Sequence, residues 1–185
     1  MTPAIRFHPP AALARLIGDR RGVSAVEFAL VAPLMIALYL GCVEISEGVA
    51  AQRKVSLTSA ALANLTAQVT SISQSDMTNI LDASGAIILP YSAVNLSMSV
   101  SCLKIDANQN VSVKWSVARG GDPLSGTVTI PDALKVADSE LVYAVASYSY
   151  TPAVGYTITG TLSLSDHMYM SPRISAPVYD GTACS

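Results

Sequence analysis

The hydrophobic pattern changes character three times along the chain, and each change predicts a different element. From Val23 to Val43 only Ser24 and Glu27 are clearly polar. A helix of that length rises about 30 Å, the thickness of a bilayer's hydrocarbon core. Pro33 lies inside this run, where membrane helices tolerate it. Beyond the run the apolar positions thin out without ending. Val55, Thr58, Leu62, Leu65, Val69 and Ile72 recur at intervals of three and four, with Gln52, Lys54, Ser59, Asn64 and Gln68 around the rest of the cylinder. This spacing predicts an amphipathic continuation over residues 44–73, with Gly48 its weak point and one helix running from 23 to about 73.

Ser73-Gln74-Ser75-Asp76 closes that pattern, and Asp76 is the expected cap of a short helix from Met77 to about Ala83. From Val94 the period falls to two. Val94, Leu96, Met98, Val100 and Cys102 alternate with polar residues, and the apolar parity switches at Leu103 and Ile105, which predicts a bulge or a second covered face. Asp106 to Asn110 reads as a turn into Val111, Val113, Trp115 and Val117, completing a β-hairpin. Thr127 to Ile130 is too short to assign, and Pro131 to Leu134 opens a helical turn. Leu141 to Tyr150 is apolar at both parities and reads as a central strand. Val154, Tyr156 and Ile158, then Leu162 and Leu164, supply a last strand or pair, and the tail after Ser171 is expected to be irregular. The expected fold is α+β and pilin-like: a long N-terminal transmembrane helix whose amphipathic extension packs on an antiparallel β-sheet of about four strands. The domain divisions are 1–22, 23–43, 44–73 and 74–185.

Composition adds a direction. Hydrophobic residues make up 51% of the 185 and charged residues only 13%, about half the share usual in a soluble domain. Of the 11 Lys and Arg, four (Arg6, Arg15, Arg20 and Arg21) precede Val23, where Asp19 is the lone acid, so the remainder is acidic. Basic residues before the apolar run, against Glu44 and Glu47 after it, place the N-terminus in the cytoplasm. An acidic outer part also argues against nucleic acid as a partner. A cleaved secretory signal is the simpler alternative, with Leu30–Val43 as its apolar region and Gly48-Val49-Ala50 as the cut. It leaves Glu27 without a purpose. Cys102 and Cys184 fall in the outer part, where an oxidising compartment would let them bridge; the alternative is two free thiols.

Glu27 is the most informative residue. A carboxylate inside an apolar helix is costly and ordinarily has a partner. One partner is the α-amine that a cut after Gly22 would create on Val23, four residues upstream, carried by an assembled neighbour. The other reading leaves Glu27 at headgroup level beside Arg20 or Arg21. No catalytic site is evident: His167 beside Asp166 is too little for a metal site, the serines lack a base at a known spacing, and no phosphate or dinucleotide fingerprint occurs. No cofactor is expected. Tyr143, Tyr148, Tyr150, Tyr156, Tyr169 and Trp115 fit core and cross-strand pairs better than a binding face.

Arg20-Arg21-Gly22 followed by Val-Ser-Ala-Val-Glu27-Phe28-Ala29-Leu30-Val31-Ala32-Pro33 resembles the class III prepilin signal of TadE-like proteins, pseudopilins of the tight-adherence (Tad or Flp) pilus system. Weaker similarity extends to Val113–Ser116, Tyr148–Pro152 and Met168–Arg173. The resemblance implies cleavage between Gly22 and Val23 by a prepilin peptidase, and helix docking or assembly through Glu27 and Phe28. It further implies a role as a minor component of pilus assembly, with other pseudopilins, the assembly machinery and membrane lipid as partners. Its expected place is the inner membrane, single-pass, with the C-terminal domain in the periplasm. TadF-like proteins share this N-terminal style. The rival reading is an unprocessed bitopic protein whose outer domain binds or scaffolds.

Overall fold

The computed structural model describes residues 21–126, 128–153 and 160–184. Arg6, Arg15 and Arg20 of the basic leader, Thr127, and the segment of Val154, Tyr156 and Ile158 lie outside them. The chain divides into two units, one up to Val43 and one from Glu44 onward, and helix α1 (Arg21–Ala67) contributes to both. In the first unit α1 passes through Pro33 without ending. The large apolar residues from Val23 to Tyr39 are all exposed, so none of the described residues covers this stretch.

From Ala51 onward the helix has a buried side. Ala51, Val55, Thr58, Ser59, Leu62, Ala63, Thr66 and Ala67 are covered, a stripe stepping by three and four residues as one helix face requires. Val55, Thr58 and Leu62 were expected on this face. Leu65 is only half-buried, and Thr66 occupies the covered position instead. The helix ends at Ala67, about six residues before the apolar periodicity suggests. Its end is fixed from far along the chain: the backbone N–H of Arg173 donates to the Ala67 carbonyl at 3.0 Å, and the Arg173 guanidinium donates to Asn64 Oδ1 at 2.6 Å. The first bond satisfies a carbonyl that a helix C-terminus leaves open, and the second ties the same residue to the side chain of the last turn.

Strand β1 (Ser71–Ile72) follows, then helix α2 (Gln74–Gly85). The cap of α2 is Ser73 rather than Asp76. Ser73 Oγ accepts from the Asp76 backbone N–H at 3.2 Å, while the Asp76 carboxylate accepts from the Ser73 backbone N–H at 3.1 Å. This reciprocal pair is a capping box, and it starts the helix a turn earlier than a cap at Asp76 would.

The main sheet has the order β3-β2-β4-β5, with antiparallel neighbours throughout. Its strands are β2 (Leu96–Ile105), β3 (Val111–Arg119), β4 (Ser139–Tyr150) and β5 (Leu162–Met170). Val94 is not in the first strand; it sits in a 3-10 turn over Ala93–Asn95 and is 91% exposed. The parity switch at Leu103 has both expected causes. The β2–β3 register shifts between Cys102 and Leu103, and Leu103, Ile105, Leu141 and Ile130 form a second cluster apart from the first. The first cluster unites the covered face of α1 with Val100 and Cys102 of β2 and with Val142, Ala144, Ala146, Tyr148 and Tyr150 of β4. The last strand continues to Met170, well past Leu164.

The tail is more ordered than its prolines suggest. Strand β6 (Val178–Tyr179) pairs in parallel with β1. Trp115 Nε1 donates to the Pro177 carbonyl at 3.1 Å. Cys184 is disulfide-bonded to Cys102, with the Cα atoms 5.8 Å apart and a sequence separation of 82. Cross-linking a loop of that size stabilises a fold by about 4.5 kcal/mol in the chain-entropy model. Cys102→Ser should therefore lower the unfolding free energy of the oxidised protein by an amount of that order and leave its reduced form much less affected, as chemical denaturation with and without reductant would measure.

Hydrogen bonding to the Ser73 side chain, then to its backbone N–H, lowers the Asp76 pKa from 3.8. A folded-state pKa below the unfolded one adds stability above the unfolded value and loses it as the pH falls through the folded one. Ser73→Ala should cost about 1 kcal/mol at neutral pH. The stability difference between wild type and Asp76→Asn should be constant from pH 7 to 5 and shrink below pH 3.8.

Candidate functional site

The N-terminal segment of α1 has the character of a surface waiting for contacts. At Gly22 an added Cβ would meet nothing within 4 Å. Val23, Val26, Phe28 and Leu30 are 55, 60, 71 and 75% exposed, values that decide against packing on the described residues of the same chain. Glu27 lies one helical turn beyond Val23, on the same side of the cylinder. Among the described residues none of the ion pairs includes Glu27; they are Lys104–Glu140, Arg119–Asp82 and Lys135–Asp132. The stretch is also the most hydrophobic in the chain. Within Gly22–Ala67 an 18-residue window reaches a mean hydropathy of 2.1 with none of it buried. By length and composition this is a single helix able to cross a membrane. Gly22, Val23, Glu27 and Phe28 thus stand together on one exposed helical segment.

A family description, TadE-like protein, matches residues 22–63. This segment is similar to TadE-like proteins. The match begins at the residue proposed for cleavage, runs the length of the apolar stretch, and stops four residues before α1 ends. No curated protein and no solved structure matches the chain. The sheet therefore has to be read from its own geometry.

That geometry separates the aromatic residues into two sets. Tyr148 and Tyr150 are buried in the main core and meet Tyr91, with ring centroids 6.1 and 6.4 Å apart. Tyr143 and Tyr169 stack at 4.7 Å and His167 stands against both. Trp115 packs on Tyr179 at 5.6 Å. Most of these are the cross-strand and core pairs that strand spacing favours; Tyr156 lies outside the described residues. His167 and Asp166 interact through the His167 backbone N–H, which donates to the Asp166 carboxylate at 2.8 Å, and through charge. Neighbours in a strand point to opposite faces; proximity to the Ser56 side chain on α1, and then the His167 backbone N–H, hold Asp166 below its usual pKa. Among the described residues no three His, Cys, Asp or Glu side chains converge as a metal site.

Sequence periodicity did not reveal the aromatic corner where α1 enters the second unit. Tyr91 donates from its hydroxyl to the Glu47 carbonyl at 3.2 Å. Burial, and next the nearby Glu47 carboxylate, raise the pKa values of both Tyr91 and Tyr150. Tyr91 precedes the first long strand by five residues and carries no periodic signal of its own.

The separation of roles predicts a clean result. Glu27→Gln and Phe28→Ala alter side chains that contribute nothing to the folded core, so each should leave the unfolding free energy of the sheet unit unchanged within about 0.5 kcal/mol. Leu62→Ala should lower the same quantity by roughly 2–5 kcal/mol.

Proposed function

We propose that the protein is a minor pseudopilin of a Tad-type pilus, inserted with its N-terminus in the cytoplasm and cut between Gly22 and Val23 by a prepilin peptidase. The observation that carries this reading is the TadE-like match over residues 22–63 falling on a helix that leaves Glu27 and Phe28 uncovered. Cleavage removes the basic leader and creates an ammonium on Val23. In an assembly, that ammonium on one subunit neutralises Glu27 of its neighbour, removing most of the cost of a carboxylate among apolar helices. The apolar side chains can then exchange lipid for one another at little cost, because lipid tails and side chains are similarly apolar.

The sheet unit faces the periplasm in this reading, where it contacts other minor pilins or the assembly machinery. The Cys102–Cys184 disulfide supports that placement, since such bonds persist in oxidising compartments. The protein works by contacts rather than by turnover.

Expression of the full chain with and without a Tad prepilin peptidase, followed by intact mass, tests the reading. The expected product starts at Val23, requires the peptidase and is absent for a Gly22 variant that blocks the cut. A chain that stays whole beside an active peptidase would identify an unprocessed membrane-anchored domain instead, and a start near Ala51 would mean the helix was a secretory signal.

A further inference from the structure

The second unit exposes one stretch whose composition sets it apart. From Ala83 to Leu103 the chain carries no charged residue. Part of this stretch, Leu89 to Asn95, runs over the surface between α2 and β2, with Leu89 61% and Val94 91% exposed. Single exposed apolar residues are ordinary. Val136 and Ile174 are two, at 63 and 77%, and each has a charged neighbour in sequence, Lys135 and Arg173. Leu89 and Val94 have none. The residues between them are Pro-Tyr-Ser-Ala, so this loop offers water two large apolar side chains and no charge.

The loop is also held in place. Lys54 Nζ donates to the Ile87 carbonyl at 3.1 Å and to the Leu89 carbonyl. The Tyr91 hydroxyl donates to the Glu47 carbonyl, and the Tyr91 ring lies against Tyr148 and Tyr150. The backbone N–H groups of Leu89, Tyr91 and Asn95 donate to the Ala86, Ile88 and Ser92 carbonyls of the same segment, which lowers the cost of taking this backbone out of water. Its place along α1 is a second constraint. The apolar run ends at Val43 and Glu47 follows four residues later, so about 6 Å of helix separates the span from the Tyr91 contact, whatever angle the second unit takes. A bilayer's headgroup zone extends several ångströms beyond its hydrocarbon core. The strands agree with this placement. Tyr150, which ends β4, is the residue that an added Cβ on Gly48 would meet, at 3.8 Å. Leu96, which opens β2 just after the loop, pairs with Tyr148. Val94 therefore stands at the end of the sheet where the chain enters the unit.

We propose that this loop is a second membrane contact, in which Leu89 and Val94 rest in the headgroup zone of the bilayer that α1 crosses. Tyr91, between them in sequence, is of a residue type enriched at that level. The short tether is what selects lipid as the occupant, since the bilayer surface lies within reach of the loop before any protein partner arrives. The contact is apolar rather than electrostatic. On the turns of α1 beside the loop, Glu44 and Glu47 are balanced by Arg53 and Lys54, so no anionic lipid is needed. The inference rests on the membrane-anchor part of the proposed function, and it goes beyond that reading by giving the sheet unit a membrane contact of its own. Such a contact orients the unit on the bilayer ahead of assembly.

The test uses the full chain with Cys42→Ser, which removes the free thiol, and with either Val94→Cys or Leu89→Cys carrying a nitroxide. Each variant is reconstituted alone and dilute in phosphatidylcholine bilayers. Power-saturation EPR then reads collisions of the nitroxide with oxygen, which concentrates in lipid, and with a water-soluble nickel chelate. Val136→Cys in the same background is the reference, because Val136 precedes β4 at its opposite end, where Ser139 pairs with Ile105. The expected ratio of oxygen to nickel collisions is several-fold higher at Val94 and at Leu89 than at Val136. Intact mass showing one label per chain confirms that each variant keeps the Cys102–Cys184 bond. A nitroxide at either loop position as open to nickel as the one at Val136 would overturn the contact and leave the anchor standing. So would a nitroxide shielded from both reagents, which would mark a contact between proteins. Release of the chain by alkaline extraction would overturn both.

Discussion

The structure depends on one helix meeting two solvents. A helix satisfies its own backbone hydrogen bonds, so it can pass from lipid into a protein core without exposing unpaired polar groups. Only the side chains need to change, and in α1 they do. Val23 to Tyr39 present large apolar groups that no described residue covers, while the turns from Ala51 present Ala, Ser, Thr, Val and Leu to the sheet. Gly48 falls between the two regimes. The sheet cannot close its core without the second half of this helix, because Val100, Val142, Ala144 and Ala146 share a cluster with Val55, Leu62 and Ala63. Anchor and domain are therefore built on a single element.

The C-terminal tail completes that arrangement. Arg173 bonds to the last turn of α1, Val178 and Asp180 donate to the Thr70 and Ile72 carbonyls, and Cys184 joins the tail to β2. Each of these contacts reaches back across most of the domain. They fix where the helix ends and hold short strands that have little local preference of their own. A disulfide is well placed here, since it closes the long loop whose ordering would otherwise be entropically costly.

Local pattern made much of this fold legible. The apolar run, the alternation of β2 and β3, the two-faced character of β4 and the parity switch at Leu103 are all written in side-chain periods of 3.6 or 2. What pattern missed had non-local causes. The end of α1 is set by Arg173, more than a hundred residues away; the periodicity through Val69 and Ile72 survives because Ile72 is buried too, but in β1 rather than in helix. The start of α2 was misplaced because Ser73 and Asp76 share a capping box, and either polar residue alone resembles a cap. Val94 fits the strand's alternation and yet lies in an exposed turn. Of the candidate site, Gly22, Val23, Glu27 and Phe28 were legible as a motif, whereas the aromatic corner at Tyr91 was not: its partners Glu47, Tyr148 and Tyr150 come from distant stretches of the chain.

The central claim is that the uncovered segment of α1 is covered by neighbouring pilin-class subunits after processing. A photo-crosslinking amino acid in place of Phe28, activated in cells that carry the Tad apparatus, tests this most directly. The account predicts covalent adducts with another pilin-class subunit, and their loss when the cut after Gly22 is blocked. Adducts with lipid alone, or the same protein adducts without cleavage, would contradict it.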